Sequence, residues 1–269
     1  MTDRKFIFSD KNPSAPVAYG SFTAMHTRME ILFVHSDKNG AEKICRRMED
    51  LADSLEKTFS RHLEGTQLHS LNKGTAPVSL SEDLYFAVEL CEQFRRATSG
   101  YFDIAALSST RERPALRTYP PAHQAQRSSE AVLIDFGGFA KGYALEKMRK
   151  LLVEEYGIGS ALLNFGSSSI LGIGSHPLGD CWMVSDEKER VNFRLKDSAL
   201  SVSGRARSGK AHIMDPHTLA TVEKDSDVAV TGSSALICEI LSTALFAAPR
   251  NEWDAIMSHF DKYEIKELK

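Results

Sequence analysis

The sequence predicts an α+β fold: a single domain over residues 1–269, built of two intimately joined α/β halves with mixed or antiparallel sheets and helices. Three observations predict it. Apolar and polar residues alternate at strand spacing near the N-terminus, while two later blocks repeat apolar residues at helical spacing. From residue 158 to 230 the text switches to short apolar runs broken by Gly, Ser, Asp and Pro, as in sheets with tight connections. No repeat, low-complexity tract or linker separates these regions, and 42% hydrophobic residues suffice for a shared core.

The elements follow in order. Residues 17–34 (VAYGSFTAMHTRMEILFV) alternate as a strand pair or one long bent strand. Asp37-Lys38-Asn39-Gly40 is a turn signal, and Ile44, Met48, Leu51 and Leu55 then mark a helix over about 41–57. The polar stretch FSRHLEGTQLHSLNKGTAPV has no assignable period. Ser81 reads as the N-cap of a helix that ends at Gly100. Residues 108–129 hold three of the nine prolines and read as a surface excursion, with mobility left open. Residues 131–134 (AVLI) read as a short strand, and Gly137-Gly138 then opens a helix to about Tyr156. Two helices, 233–247 and 252–259, and a strand near Tyr263 close the chain.

Composition excludes several classes. With 33 Lys+Arg against 36 Asp+Glu the formal charge is −3, which argues against a basic nucleic-acid binder and against an acidic disordered chain. No apolar run reaches the roughly 18 residues of a membrane helix. The opening MTDRKFIFSDKNPS puts charge and proline where a secretory signal has its apolar stretch, so a cytoplasmic chain is expected. Cys45, Cys91, Cys181 and Cys238 form no C-x-x-C and no disulfide spacing; Cys45 and Cys91 fall in helical patterns and are expected as buried thiols.

Four segments carry residue types suited to chemistry. In IDFGGFAKGYALEK (134–147) paired glycines precede a helix start with Lys141 in its first turn, an arrangement that suits a phosphate; the same residues also serve a plain tight turn with a solvated lysine. It is neither a Walker A loop nor a G-x-G-x-x-G fingerprint. In KAHIMDPHT (210–218) His212 is followed three residues later by Asp215, which could orient it as a general base; a packed or surface histidine fits equally. In CEILSTALF (238–246) Glu239 and Thr243 lie one helical turn apart, hard oxygen donors of the kind Mg²⁺ takes, or else a satisfied polar spot in a core helix. In ATSGYFDIA (97–105) Tyr101 and Phe102 form either a flat pocket wall or core.

In this order the segments resemble the FAD:protein FMN transferase family, also called ApbE, over residues 25 to about 249. ATSGYFD matches T-x-G-x-F-D, IDFGGFAKGYALEK matches D-x-G-G-x-A-K-G-Y-x-x-D/E, HIMDP matches H-I-x-D-P, and EILSTALF matches D-x-x-S-T-A-L-F. MHT at Met25, TQLHSLN ending in Asn72, LNFG at Leu163 and VSG at Val202 are weaker echoes.

The resemblance implies Mg²⁺-dependent transfer of FMN from FAD to a Thr or Ser hydroxyl of an acceptor flavoprotein, with AMP released. The alternatives it leaves are FAD hydrolysis to FMN and AMP, and flavin binding without turnover. It implies a metal held by the Ala140 carbonyl, Glu239 and Thr243, and catalysis by His212, Lys141 and Asp215. The nucleotide would lie against Met25, Thr66, Asn72, Phe102, Asp103, Gly137, Gly138, Lys141, Ser203 and Gly204. It also implies that relatives are often exported or lipid-anchored, by a signal this sequence does not show. Five positions in four segments depart from the pattern: Glu239 replaces Asp, Asn164-Phe165-Gly166-Ser167-Ser168 replaces N-x-G-G-D, His26 replaces the glycine of M-G-T, and Leu219 replaces the glycine after H-I-x-D-P-x-T.

Overall fold

The alternating residues 17–34 fold back on themselves as a hairpin, the seed of one large sheet in the computed structural model, which describes residues 4–186, 191–204 and 213–269. In chain order the first half comprises β1 (Lys5–Ser9), β2 (Val17–Ala24), β3 (Thr27–Val34), α1 (Lys38–Phe59), α2 (Gln67–Lys73), β4 (Val78–Ser79), α3 (Glu82–Ala97), β5 (Leu116–Tyr119), β6 (Gln124–Arg127) and α4 (Ala140–Lys150). The second comprises β7 (Ala161–Phe165), β8 (Ser169–Ile173), β9 (Trp182–Ser185), β10 (Asn192–Leu195), β11 (Ser198–Ser203), β12 (Met214–Asp215), β13 (Ala220–Thr221), β14 (Asp227–Gly232), α5 (Ala235–Ala247), α6 (Trp253–Met257) and β15 (Glu264–Leu268).

Eight strands join in the order β1-β2-β3-β7-β8-β11-β14-β15, and every pairing is antiparallel. The fold is α+β, with the antiparallel one of the two expected arrangements. Helices α1, α4 and α5 cover one face of the sheet, α1 over β2 and α5 over β11 and β14. Ala18, Phe22, Met29, Ile31 and Phe33 point from β2 and β3 into that layer and are fully buried. The β9–β10 ribbon covers the other face, where Trp182, Phe193 and Leu195 pack on Ile170 and Leu200. Being covered on both sides, β8 is buried along its whole length.

Several local readings change. Asp37 does not turn the chain but caps α1, its carboxylate accepting from Asn39 N and Gly40 N, so the helix starts earlier, at Lys38. The stretch without a period holds α2, capped by Thr66. Residues 108–129 lie mostly at the surface but hold strands: β5 and β6 join β4 in a three-stranded sheet, and Arg127 is buried, donating to the carbonyls of Gly74, Glu130 and Val132. Residues 131–134 form no ladder. Their backbone groups bond instead to the side chains of Ser108, Asn72 and Arg127. The helix after Gly137-Gly138 begins at Ala140 and ends as a π-helical turn, Leu151–Glu155. All four cysteines are free and buried, and burial pushes the Cys45 thiol up to about 12. No described helix is long and apolar enough to cross a membrane.

Candidate active site

Helix α5 is apolar almost all round because it lies between the sheet and α4, and Ser234 fixes its start by accepting from Ile237 N. Its exceptions form one polar stripe: Glu239, Ser242 and Thr243. Ser242 bonds Ser201 (3.0 Å) and Ser203 (2.9 Å) of β11. Glu239, 3% exposed, accepts from Ser169 Oγ of β8 at 2.6 Å through Oε2 and pairs with Lys141 Nζ of α4 through Oε1. A buried carboxylate needs such partners, and here both oxygens have one.

The Gly137-Gly138 turn faces this stripe. Asn72 holds the chain entering it: its amide donates to Ile134 O and accepts from Ile134 N, both at 2.8 Å. Asp135 then accepts from Gly137 N at 2.8 Å, while its other oxygen meets Arg61 Nε at 2.6 Å. No side chain caps α4, so its first turn presents N–H groups beside Lys141, a setting that favours an anion.

These parts line one cleft of about 940 Å³, near the upper end of the range for small-molecule sites. Its other walls are the β2–β3 turn, residues 101–107, residues 166–169, residues 201–204, and Ile213-Met214. Met25 and His26 make that turn with φ of 49° and 60°, the left-handed region. Burial, with the charges of Glu252 and Asp215, raises the Tyr101 phenol above its ordinary value, so the ring stays neutral. Among the described residues the lining carries six carboxylates (Glu30, Asp103, Asp135, Asp186, Asp227, Glu239) against Arg28 and Lys141. Asp103 and Asp135 are paired at 2.6 Å with Arg113 and Arg61, which stand outside the lining.

Ten of the expected residues line the cleft: Met25, Phe102, Asp103, Gly137, Gly138, Lys141, Ser203, Gly204, Glu239 and Thr243. Thr66 caps α2 and Asn72 supports the glycine turn from behind; neither lines it. Ala140, in the first turn of α4, is buried and also outside the lining. Asp215 does not line the cleft either; its carboxylate closes the 215–218 turn by accepting from His217 N and Thr218 Oγ1, both 2.9 Å. His212 lies outside the described residues.

Sequence reasoning missed the supporting residues. Arg113 pairs with Asp103 at 2.6 Å, and His217 donates from Nε2 to Ser99 O at 3.0 Å while packing 4.5 Å from the Tyr101 ring. Ser169, Asp186 and Asp227 were also unmarked. Ser169 owes its place to Glu239, 70 positions away, so no local pattern announces it.

A divalent cation fits the donor chemistry at α5. Gly138 leaves room over Thr243: a Cβ there would lie 3.1 Å from Oγ1. Among the described residues that hydroxyl meets Ser203 Oγ at 3.5 Å, a weak contact. One carboxylate and one hydroxyl suit a hard cation that keeps waters and phosphate oxygens as its other ligands. Among the described residues no group of three or more His, Cys, Asp or Glu side chains could hold a metal, so an all-side-chain cage is absent there.

Solved structures share the fold. The flavin transferase ApbE of Vibrio cholerae is 16% identical, with 95% of this chain and 98% of that one covered at a TM-score of 0.76. The apo flavinyl transferase ApbE of Pseudomonas stutzeri is 18% identical, covering 95% and 96% at 0.80. The ApbE protein of Thermotoga maritima is 19% identical, covering 98% and 93% at 0.78. No curated protein sequence matches the chain. The family model for ApbE matches residues 25–265, which takes in the glycine turn, the α5 stripe and every wall of the cleft, and the chain belongs to the ApbE family.

Proposed function

We propose that this chain transfers FMN from FAD to a Thr or Ser hydroxyl of an acceptor flavoprotein, releasing AMP, with Mg²⁺ as cofactor. One observation carries the reading: the Gly137-Gly138 turn with Lys141 faces Glu239 and Thr243 across a single large cleft. Phosphoryl transfer needs positioning and charge neutralisation more than covalent help, and this arrangement offers both. Glu239 and Thr243 would hold the cation, which supplies charge neutralisation on the pyrophosphate when bound. The glycine turn and the start of α4 orient the phosphates, and Lys141 adds a mobile positive charge.

In the reaction the acceptor oxygen forms a bond to the FMN phosphorus while the bond from that phosphorus to the AMP oxygen breaks. The hydroxyl proton passes to a base, the role assigned to His212, which directly precedes the cleft-lining pair Ile213-Met214. Family membership and the fold shared with structures named as flavin transferases support this assignment.

The test is incubation with FAD, Mg²⁺ and candidate acceptor flavoproteins, reading AMP by chromatography and covalent flavin by fluorescence after denaturing electrophoresis. AMP matched by flavin on the acceptor is expected, with loss in T243A and H212A. Free FMN with AMP would identify a hydrolase, and retained FAD without AMP a binding protein.

A further inference from the structure

Lys141 and Glu239 are paired where a cation would have to bind. The Glu239 side chain is 4% exposed and that of Lys141 22%. Ser169 fixes Oε2, so Oε1, the oxygen that Lys141 holds, is the one a metal would take. The two cations compete for it: about 4 Å apart, their repulsion exceeds what the ammonium gains from the oxygen but not what a divalent cation gains. Yet the ammonium cannot simply leave, because an ionised carboxylate buried with one hydroxyl partner is strongly disfavoured. The ammonium thus departs only when another cation replaces it.

We infer that Lys141 is an exchangeable counter-ion: it neutralises Glu239 in the resting protein, yields that oxygen to the divalent cation, and turns to the pyrophosphate. This rests on the reading above that cation and pyrophosphate share the cleft. The lysine is suited to the exchange. It stands in the first turn of α4, beside the glycine turn, and its four-carbon stem lets the ammonium swing while remaining within the cleft lining. The consequence is coupling. Cation binding alone has to displace the ammonium into a cleft without a phosphate, whereas a bound pyrophosphate gives it a partner. Each ligand therefore tightens the other, and the gain is reciprocal.

The test is Mn²⁺ titration of the full chain, followed by electron paramagnetic resonance, with and without FAD. In wild type, Mn²⁺ alone binds weakly and FAD tightens it by about ten-fold or more. In K141M, Mn²⁺ alone binds about ten-fold more tightly than in wild type, and FAD adds less than about three-fold. K141R restores the wild-type pattern, and E239Q abolishes the site. If K141M binds Mn²⁺ no more tightly than wild type, if FAD's effect is the same in both, or if neither protein binds Mn²⁺, the inference is wrong. Should K141M fold poorly from the unpaired Glu239, its melting temperature in Mn²⁺ against chelator gives the same answer, because a tighter site produces the larger rise. The titration needs neither acceptor nor turnover. Failure of the transferase reading would appear as missing AMP with the Mn²⁺ result intact.

Discussion

Asn72 and Ile134, 62 positions apart, exchange two hydrogen bonds of 2.8 Å, the side-chain amide standing in for a neighbouring strand. This contact connects α2 to the segment that leads into Asp135 and the glycine turn, and it explains why an apolar run that reads as a strand forms no ladder.

Replacing Asn72 with Ala leaves a backbone donor and a backbone acceptor unpaired in a partly buried place, at a cost of about 2–3 kcal/mol. Asn72→Asp keeps the acceptor but puts a carboxylate oxygen against Ile134 O, and costs at least as much. Urea denaturation checks both. Equal midpoints for wild type and N72A would show that the amide holds nothing.

Asp103 depends on Arg113 in the same way. The two side chains are 4% and 17% exposed and lie 2.6 Å apart, and Arg113 also donates to Glu112 O at 2.7 Å. R113A strands a buried charge in the cleft wall and costs about 3 kcal/mol. In the double variant R113A/D103N the charge is gone, so part of that loss returns. A strictly additive double-mutant cycle in denaturant would refute the coupling.

Helices α1, α3 and α5 were largely legible in the sequence because their signals are local: Ser81 caps α3, the apolar residues of α1 recur at helical spacing, and Glu239 and Thr243 share a face by simple i,i+4 geometry. The glycine turn was legible for the same reason. What escaped was whatever is satisfied across the fold. Arg61 finds Asp135 74 positions away, and Ser169 finds Glu239 70 away. The prolines of residues 108–129 marked a surface excursion and left its mobility open, while the buried guanidinium of Arg127 gathers three carbonyls and fixes the segment. Side chains that serve distant backbone groups leave no period behind.

Tyr143 makes stability sensitive to alkali. Burial first, then its hydrogen bond to Asp83, pushes the phenol from 10.0 up to about 12. A raised folded-state value means the contribution is complete below pH 10 and is lost as pH climbs toward 12, by at most about 2–3 kcal/mol. Cys45 is also pushed to about 12, so the quantity to measure is the difference between wild type and Y143F across that window. The difference narrows with rising pH, and a constant difference would contradict the assignment.

Three glycines separate folding from chemistry. A Cβ at Gly142 would lie 2.8 Å from Ala235 O and Leu236 Cα, backbone atoms that cannot step aside where α4 crosses α5. G142A therefore forces the helices apart and costs about 2–3 kcal/mol in thermal or urea unfolding. At Gly159 an added Cβ meets nothing within 4 Å, and G159A is neutral to within about 0.5 kcal/mol. Gly138 is the informative case, since the nearest atoms to its Cβ would belong to the Thr243 side chain, 3.1 Å away at both Oγ1 and Cγ2. That side chain can rotate away, so G138A costs less than about 1 kcal/mol of stability. The rotation takes the hydroxyl from the cleft, however, and with it one of the two side-chain oxygens of the proposed cation site. Mn²⁺ affinity should fall by about ten-fold in G138A while G159A retains it, a ratio worth about 1.4 kcal/mol. A G138A protein as stable as wild type and binding Mn²⁺ equally well would remove Thr243 from the cation site.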